Sequence, residues 1–216
     1  MTKNSKPIHF IDCGANTGQS VKWAIQKYGK KIFKIDSFER LTKNYKTLVE
    51  NCTKYTTDLN LRNNINEAIE INLHKYGVWV EDGTVPFFID PDEAKTGSSL
   101  FNRKFRAYGS SETENIKVIN LAEWIKQNVS DKNFNVLKLD IEGAEYVVIN
   151  QLLNKKLHDI IDEWYVEFHP ISKFLHKKDF DMDTITSQET EDRLSFMVPD
   201  WNEWTLEQGE LKNEKF

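Results

Sequence analysis

Residues 10–20, Phe-Ile-Asp-Cys-Gly-Ala-Asn-Thr-Gly-Gln-Ser, constrain this chain more than any other stretch. Ile8, Phe10 and Ile11 form a short apolar run that stops at Asp12 and Gly14, and Gly18 leads into a helix-like stretch over residues 20–28. The pattern predicts a strand, a tight glycine turn and a helix start. Such a turn turns backbone N–H groups and the positive end of a helix toward a ligand, while a carboxylate at the strand end accepts hydrogen bonds. A dinucleotide fingerprint needs three glycines spaced G-x-G-x-x-G, the second admitting a pyrophosphate. Ala15 and Asn16 interrupt that spacing, leaving Gly14 and Gly18, so pyrophosphate binding is disfavoured.

Composition closes off several function classes. A length of 216 residues suits one domain, and 39% hydrophobic with 12% aromatic residues suffices for a core. Lys and Arg number 29 against 34 Asp and Glu, a net charge of -5 with no dense basic run, so nucleic acid is not an expected partner. The polar start runs into the first strand within a few residues and no apolar run approaches membrane-spanning length, so a cytoplasmic, soluble protein with no membrane partner is expected. Cys13 and Cys52 show no metal-ligand spacing and read as reduced thiols.

The remaining chain alternates strands and helices, the signature of a parallel α/β fold. Ile32, Phe33, Ile35 and Phe38 predict a second strand ending at Glu39, followed by a helix over residues 40–51. An acid at that strand end lies beside the first glycine turn and can accept both hydroxyls of a ribose; capping the following helix is its other reading. Residues 56–66 read as a loop and residues 69–73 as a third strand, with residues 76–79, Val78 among them, following at its end. Glu81-Asp-Gly-Thr84 between two apolar runs predicts a β-hairpin added antiparallel to the sheet. Residues 95–100 form a glycine-serine loop containing Ser99, either a connector or a closure over a ligand. Ile116, Val118 and Ile119 predict a strand and residues 121–128 an amphipathic helix.

Residues 134–145 end a buried strand in Asp140, and Glu142, Gly143 and Glu145 crowd the start of a helix reaching Leu153. Helix N-termini stabilise acids by about 0.3 to 1 kcal/mol each, which accounts for Glu142 or Glu145 but not for Asp140 at the carboxyl end of a central strand. A fifth strand over residues 160–168 delivers His169 to the same edge, where a histidine among acids can titrate near neutral pH. Thereafter residues 184–194 read as a helix, and residues 196–206, with Trp201 and Trp204, as a last strand or a substrate-facing lobe.

Asp-x-Gly-x-x-x-Gly after a strand resembles the pattern of S-adenosylmethionine-dependent methyltransferases. Asp12-Cys-Gly-Ala-Asn-Thr-Gly18, Phe38-Glu39, Gly97-Ser-Ser-Leu100 and Lys138-Leu-Asp-Ile-Glu-Gly-Ala-Glu145 together resemble the FkbM-type O-methyltransferases, with Arg40 standing where that family usually has proline. The likeness covers residues 8–170 and implies a Rossmann-like class I methyltransferase fold, a mostly parallel central sheet with helices on both faces. It implies one methyltransferase domain over residues 1–216, with residues 170–216 divergent. S-adenosylmethionine is the implied cofactor, held by Asp12, Gly14, Ala15, Asn16, Gly18, Glu39, Val78, Ser99 and Asp140. The expected acceptor is a hydroxyl of a small molecule or glycan, with His169 as base, Asp140 beside the reacting centre and Glu142 as the second candidate base; a metal-free site is favoured over the competing reading, a divalent cation held among Asp140, Glu142, Glu167 and His169 that lowers the pKa of the hydroxyl. Two other readings stay open: an adenosine-binding module without turnover, and a dinucleotide-dependent oxidoreductase. The acceptor itself and the oligomeric state are not legible.

Overall fold

A computed structural model describes residues 6–58, 69–88, 113–169 and 187–205. Strand β1 (Ile8–Cys13) is buried at every position, which is why its residues show no polar alternation. Helix α1 (Gln19–Tyr28) follows the turn and buries Val21, Ala24 and Ile25, spaced three and four apart on one face. Strand β2 (Ile32–Phe38) leads to α2 (Thr42–Thr57), which starts later and runs further than the predicted 40–51. Leu41 is extended, and the Glu39 carboxylate accepts its N–H at 2.7 Å, so the turn that precedes the helix consumes the residues expected to begin it.

Strand β3 is Glu70–His74, β4 Gly77–Trp79, β5 Gly83–Phe88 and β6 Thr113–Asn120. Helix α3 (Leu121–Asn128) is capped by the Asn120 side chain, which accepts the Glu123 N–H at 3.2 Å. Strand β7 (Phe134–Leu139), α4 (Glu145–Asn154), β8 (Glu163–Val166), α5 (Ser187–Met197) and the short β9 (Asn202–Glu203) complete the described chain. β8 is shorter than predicted because Leu157–Ile160 closes a 3-10 turn ahead of it.

Six strands form one sheet in the order β3-β2-β1-β7-β8-β9, with every pairing parallel. The chain winds outward from β1 through β2 to β3 and then returns to the other side of β1 as β7. The carboxyl ends of β1 and β7 therefore flank the switch point where open α/β sheets take their ligands. Alternation along β1 divides the core between two faces. Phe10 packs with Val21, Trp23, Ile25 and Leu48 of α1 and α2, while Ile11 packs with Leu121, Ile125, Val148 and Leu152 of α3 and α4. The expected mostly parallel sheet with helices on both faces is thus present.

The predicted hairpin is not. β4 and β5 do not pair with each other; both pair with β6, β4 in parallel and β5 antiparallel, in a separate three-stranded sheet. Two causes are visible. β6 buries Ile116 and Val118 and so claims the centre, and the Asp82 carboxylate, expected to close the hairpin, accepts the Asn120 N–H at 2.9 Å at the end of β6 instead. Trp79 and Phe87 of this small sheet pack into the α3 and α4 face of the core. Among the described residues, no helix is long and apolar enough to cross a membrane.

The C-terminal segment joins the main sheet. β9 pairs with β8, and Trp204, 2% exposed, meets Trp23 edge-on at 5.0 Å between ring centres. Replacing Trp204 by alanine should lower unfolding free energy by about 3 to 5 kcal/mol, the usual cost of emptying a large aromatic site. Urea denaturation checks this, and a loss under about 1 kcal/mol would show that the segment contributes little to the core.

Candidate active site

The site is assembled at the carboxyl edge of β1, β2 and β7. Gly14 and Gly18 both have positive φ, 83° and 96°, where a side chain would be strained. Their neighbours explain the glycines further. A Cβ on Gly14 would lie 1.8 Å from the Asp140 carbonyl oxygen, and one on Gly18 would lie 3.0 Å from Leu48 Cδ1. The two motifs therefore pack backbone against backbone. Within the turn, Gly14 and Ala15 donate their N–H groups to the Phe38 carbonyl at 3.1 and 2.9 Å, and Gly18 donates to the Ala15 carbonyl at 2.8 Å. These N–H groups serve the fold rather than standing free for a ligand.

Lys138 joins the halves. In-register pairing of β1 with β7 sets Lys138 opposite Asp12. Its ammonium, 2% exposed, lies 3.4 Å from Asp12 Oδ1 and 3.1 Å from Asp140 Oδ2, and donates to the Gly14 carbonyl at 2.7 Å. Burial would strip the proton from this lysine, but Asp140 and Asp12 win and push its pKa up. Asp12 is fully buried and its other oxygen accepts the Ser20 hydroxyl at 2.5 Å. Burial raises the Asp12 pKa, with Lys138 and Ser20 opposing.

Glu39 stands at the end of β2, 4% exposed, with one carboxylate oxygen accepting the Asn16 N–H at 2.9 Å and the other that of Leu41. Each oxygen keeps a second lone pair for another donor. Asn16 is left-handed, with φ 50°, which lets its N–H turn to Glu39. Glu39 is thus both the cap of the following helix turn and a carboxylate beside the glycine turn. Behind it, Asp36 accepts hydrogen bonds from His9 Nε2 at 2.6 Å and His74 Nε2 at 2.8 Å, and the His74 ring stacks on Phe38. Burial opposes the Asp36 charge, but these two histidines hold its carboxyl well below the usual range.

On the other side, Glu145 is fully buried and folds the Asp140-Ile-Glu-Gly turn around itself. Its oxygens accept the N–H groups of Ile141 at 2.7 Å and Gly143 at 2.8 Å. The turn places Glu142 at φ 60° and Gly143 at φ 102°. The same Glu145 Oε1 lies 3.1 Å from His169 Nδ1, so the ring is oriented with Nε2 toward three further carboxylates. Those are Glu142 at 3.7 Å, Glu167 at 3.8 Å and Asp140 at 4.0 Å. Burial pulls the His169 pKa down, but the Glu145 hydrogen bond and the charges of Glu145, Glu142 and Asp140 raise it to about 9. Burial and Asp140 raise the pKa of Glu167. Asp140, Glu142 and His169 each offer a ligand atom, all within 4.8 Å of one another, the residue types a hard divalent cation accepts.

A pocket opens between these halves, lined by Gly14, Phe38, Arg40 and Ile141 from the main sheet's edge and by Tyr76, Gly77, Val78 and Ile116 from the small sheet and its approach. Val78 thus lines the same pocket as Gly14 of the glycine turn. Ser99 lies outside the described residues, as does the glycine-serine loop. Three participants escaped the sequence reading. Lys138 looked like a strand residue, although a lysine in an otherwise buried strand between two acids was the available signal. Glu145 read as helix N-terminal chemistry alone, and Arg40 as a departure without a role.

The doubly wound parallel sheet, with its glycine turn after β1 and an acid after β2, is a Rossmann-like α/β fold. A sequence model of the Methyltransferase FkbM domain matches residues 12–207, and the chain belongs to that family. Among solved structures, that of Methyltransferase FkbM from Methylobacillus flagellatus KT at 2.20 Å resolution is similar, at 20% sequence identity and a TM-score of 0.40. The match covers 68% of this chain but only 29% of that protein's length. A search of curated proteins gave no match.

Lys138→Met should destabilise the fold by about 3 to 5 kcal/mol, because Asp12 and Asp140 lose the cation between them. Adding Asp12→Asn should recover part of that loss. Unfolding free energies of the single and double variants measure the coupling, and additive losses would show that the three groups do not act together.

Proposed function

We propose that the chain transfers a methyl group from S-adenosylmethionine to a hydroxyl oxygen of a small molecule or glycan. The observation that carries this reading is the meeting, at one sheet edge, of the Gly14 turn and Glu39 with the Asp140 to His169 group. S-adenosylmethionine supplies an activated methyl group whose sulfur loses its positive charge as the new carbon–oxygen bond forms. Glu39, held by two backbone N–H groups, is set to take the ribose hydroxyls. Asp12, engaged with Ser20 and Lys138, shapes the turn, and the Asn16 side chain and the backbone of Gly14, Ala15 and Gly18 border the methionine end. Val78, in the pocket wall, would pack against the adenine ring. Asp140 sits between the two halves, where it would face the acceptor and the sulfonium.

The protein's chemical task is then to hold the hydroxyl in line and take its proton. His169 is the base, in the form of a ring whose Nδ1 is fixed by Glu145 and whose Nε2 faces the acids. Glu142 is the second candidate. An adenosine-binding module without turnover would have no use for a histidine held in this way, and the absent middle glycine argues against a dinucleotide oxidoreductase. Nucleic acid is not an expected acceptor for a chain of net charge -5.

Glu39→Ala should weaken S-adenosylmethionine binding by about tenfold to a hundredfold, the worth of a charge-assisted hydrogen bond, and Asp12→Ala should weaken it indirectly, by releasing the turn from Ser20 and Lys138. Titration calorimetry against NAD as the control separates this reading from the oxidoreductase. Unchanged binding in folded Glu39→Ala would leave that residue only its capping role.

The raised pKa of His169 sets the pH dependence. Its neutral form, the one able to accept a proton, is the minority below about 9 and grows as pH rises toward that value. Turnover at saturating substrate should therefore climb by close to tenfold per pH unit between about 6 and 8. His169→Ala should fall by about a hundredfold or more and lose the slope, while wild-type activity survives EDTA. If chelation abolishes turnover and magnesium restores it while His169→Ala stays active, a cation held by Asp140 and Glu142 does this work instead.

A further inference from the structure

Arg40 is the residue on which the sequence departs from the family pattern, and the structure puts it inside the pocket. The guanidinium carbon lies 3.3 Å from the centre of the Phe87 ring, so the planar group is braced against the small sheet. Its stem is equally confined: a Cβ on Gly77 would stand 3.5 Å from Arg40 Cδ. Its charge is balanced by Glu39 on the ribose side, by Glu142 and Asp140 on the acceptor side, and by Glu114. Burial dominates these and lowers its pKa to about 10, which still leaves it a cation at neutral pH.

The other pocket walls are glycine backbone and apolar side chains such as Phe38, Val78, Ile116 and Ile141, with the Tyr76 hydroxyl as the remaining side-chain donor among the described lining residues. A purine presents ring nitrogens that accept hydrogen bonds, and burying them unpaired is costly. A rigid fork of donors at this position matches that need. We propose that Arg40 recognises the purine ring of the cofactor, donating from its Phe87-braced guanidinium to a ring nitrogen. The inference rests on the cofactor reading above.

The test compares S-adenosylhomocysteine with its 1-deaza, 3-deaza and 7-deaza adenine analogues by titration calorimetry on the full chain. Each analogue replaces one ring nitrogen by C–H. Wild-type protein should bind one of the three about tenfold or more weakly than S-adenosylhomocysteine, the cost of losing a hydrogen bond from a charged donor. Arg40→Met, which keeps an unbranched stem over Phe87, should bind S-adenosylhomocysteine more weakly and should no longer distinguish that analogue. Arg40→Lys keeps the balancing charge for Glu39 and Glu142, and serves if the methionine variant fails to fold; without the planar fork it should lose most of the discrimination. Equal affinities for all four compounds in wild type, or discrimination that survives in a folded Arg40 variant, would overturn the assignment of Arg40 while leaving the cofactor reading intact. No binding of S-adenosylhomocysteine to wild type would overturn the cofactor reading and this inference with it.

Discussion

A buried cation at the junction of the two motifs holds the site together. Lys138 lies between Asp12 at the end of β1 and Asp140 just beyond β7, and also donates to the carbonyl of Gly14. Removing three charges from water is expensive, and it is tolerable only where each has a close partner. The arrangement therefore fixes more than a pair of side chains. It sets the height of the glycine turn against the Asp140 turn, and the Gly14 to Asp140 backbone contact leaves no room for either to slide. Glu39, Asn16 and the pocket walls take their places from that fixed point.

Glu145 plays the corresponding part on the acceptor side. It is a buried carboxylate whose first task is to satisfy two N–H groups of a turn that carries a left-handed Glu142. Its second is to orient His169. One side chain thus ties the conformation of a loop to the aim of an imidazole, and the crowd of acids around that ring explains why it grips its proton so strongly.

Much of this was legible in the sequence, because it follows from strand ends. Apolar runs that stop at Asp12, Glu39 and Asp140 locate β1, β2 and β7, and parallel pairing then brings those acids to one edge without any knowledge of side-chain geometry. The larger failures are cases in which a residue's partner lies far along the chain. Asp82-Gly83 carries the local signature of a hairpin, but Asn120 captures the Asp82 carboxylate and β6 takes the place between the two strands. Arg40 gives no local sign of Phe87, nor Glu145 of His169, because neither spacing follows a helix or strand period. Local pattern reports which groups reach the edge, and only tertiary pairing reports which of them meet.

The small sheet gives the molecule a way to vary. β5 and β6 are antiparallel neighbours, and Phe88 pairs with Thr113. Residues 89–112 therefore leave and re-enter the described fold at adjacent backbone positions. When the ends of a connection are already held together, doubling its length costs only about 0.6 kcal/mol of closure entropy. The strand that receives the chain again also supplies Ile116 to the pocket wall. A change in the length of that connection thus costs the fold little and leaves the Lys138 anchor, on the main sheet, in place.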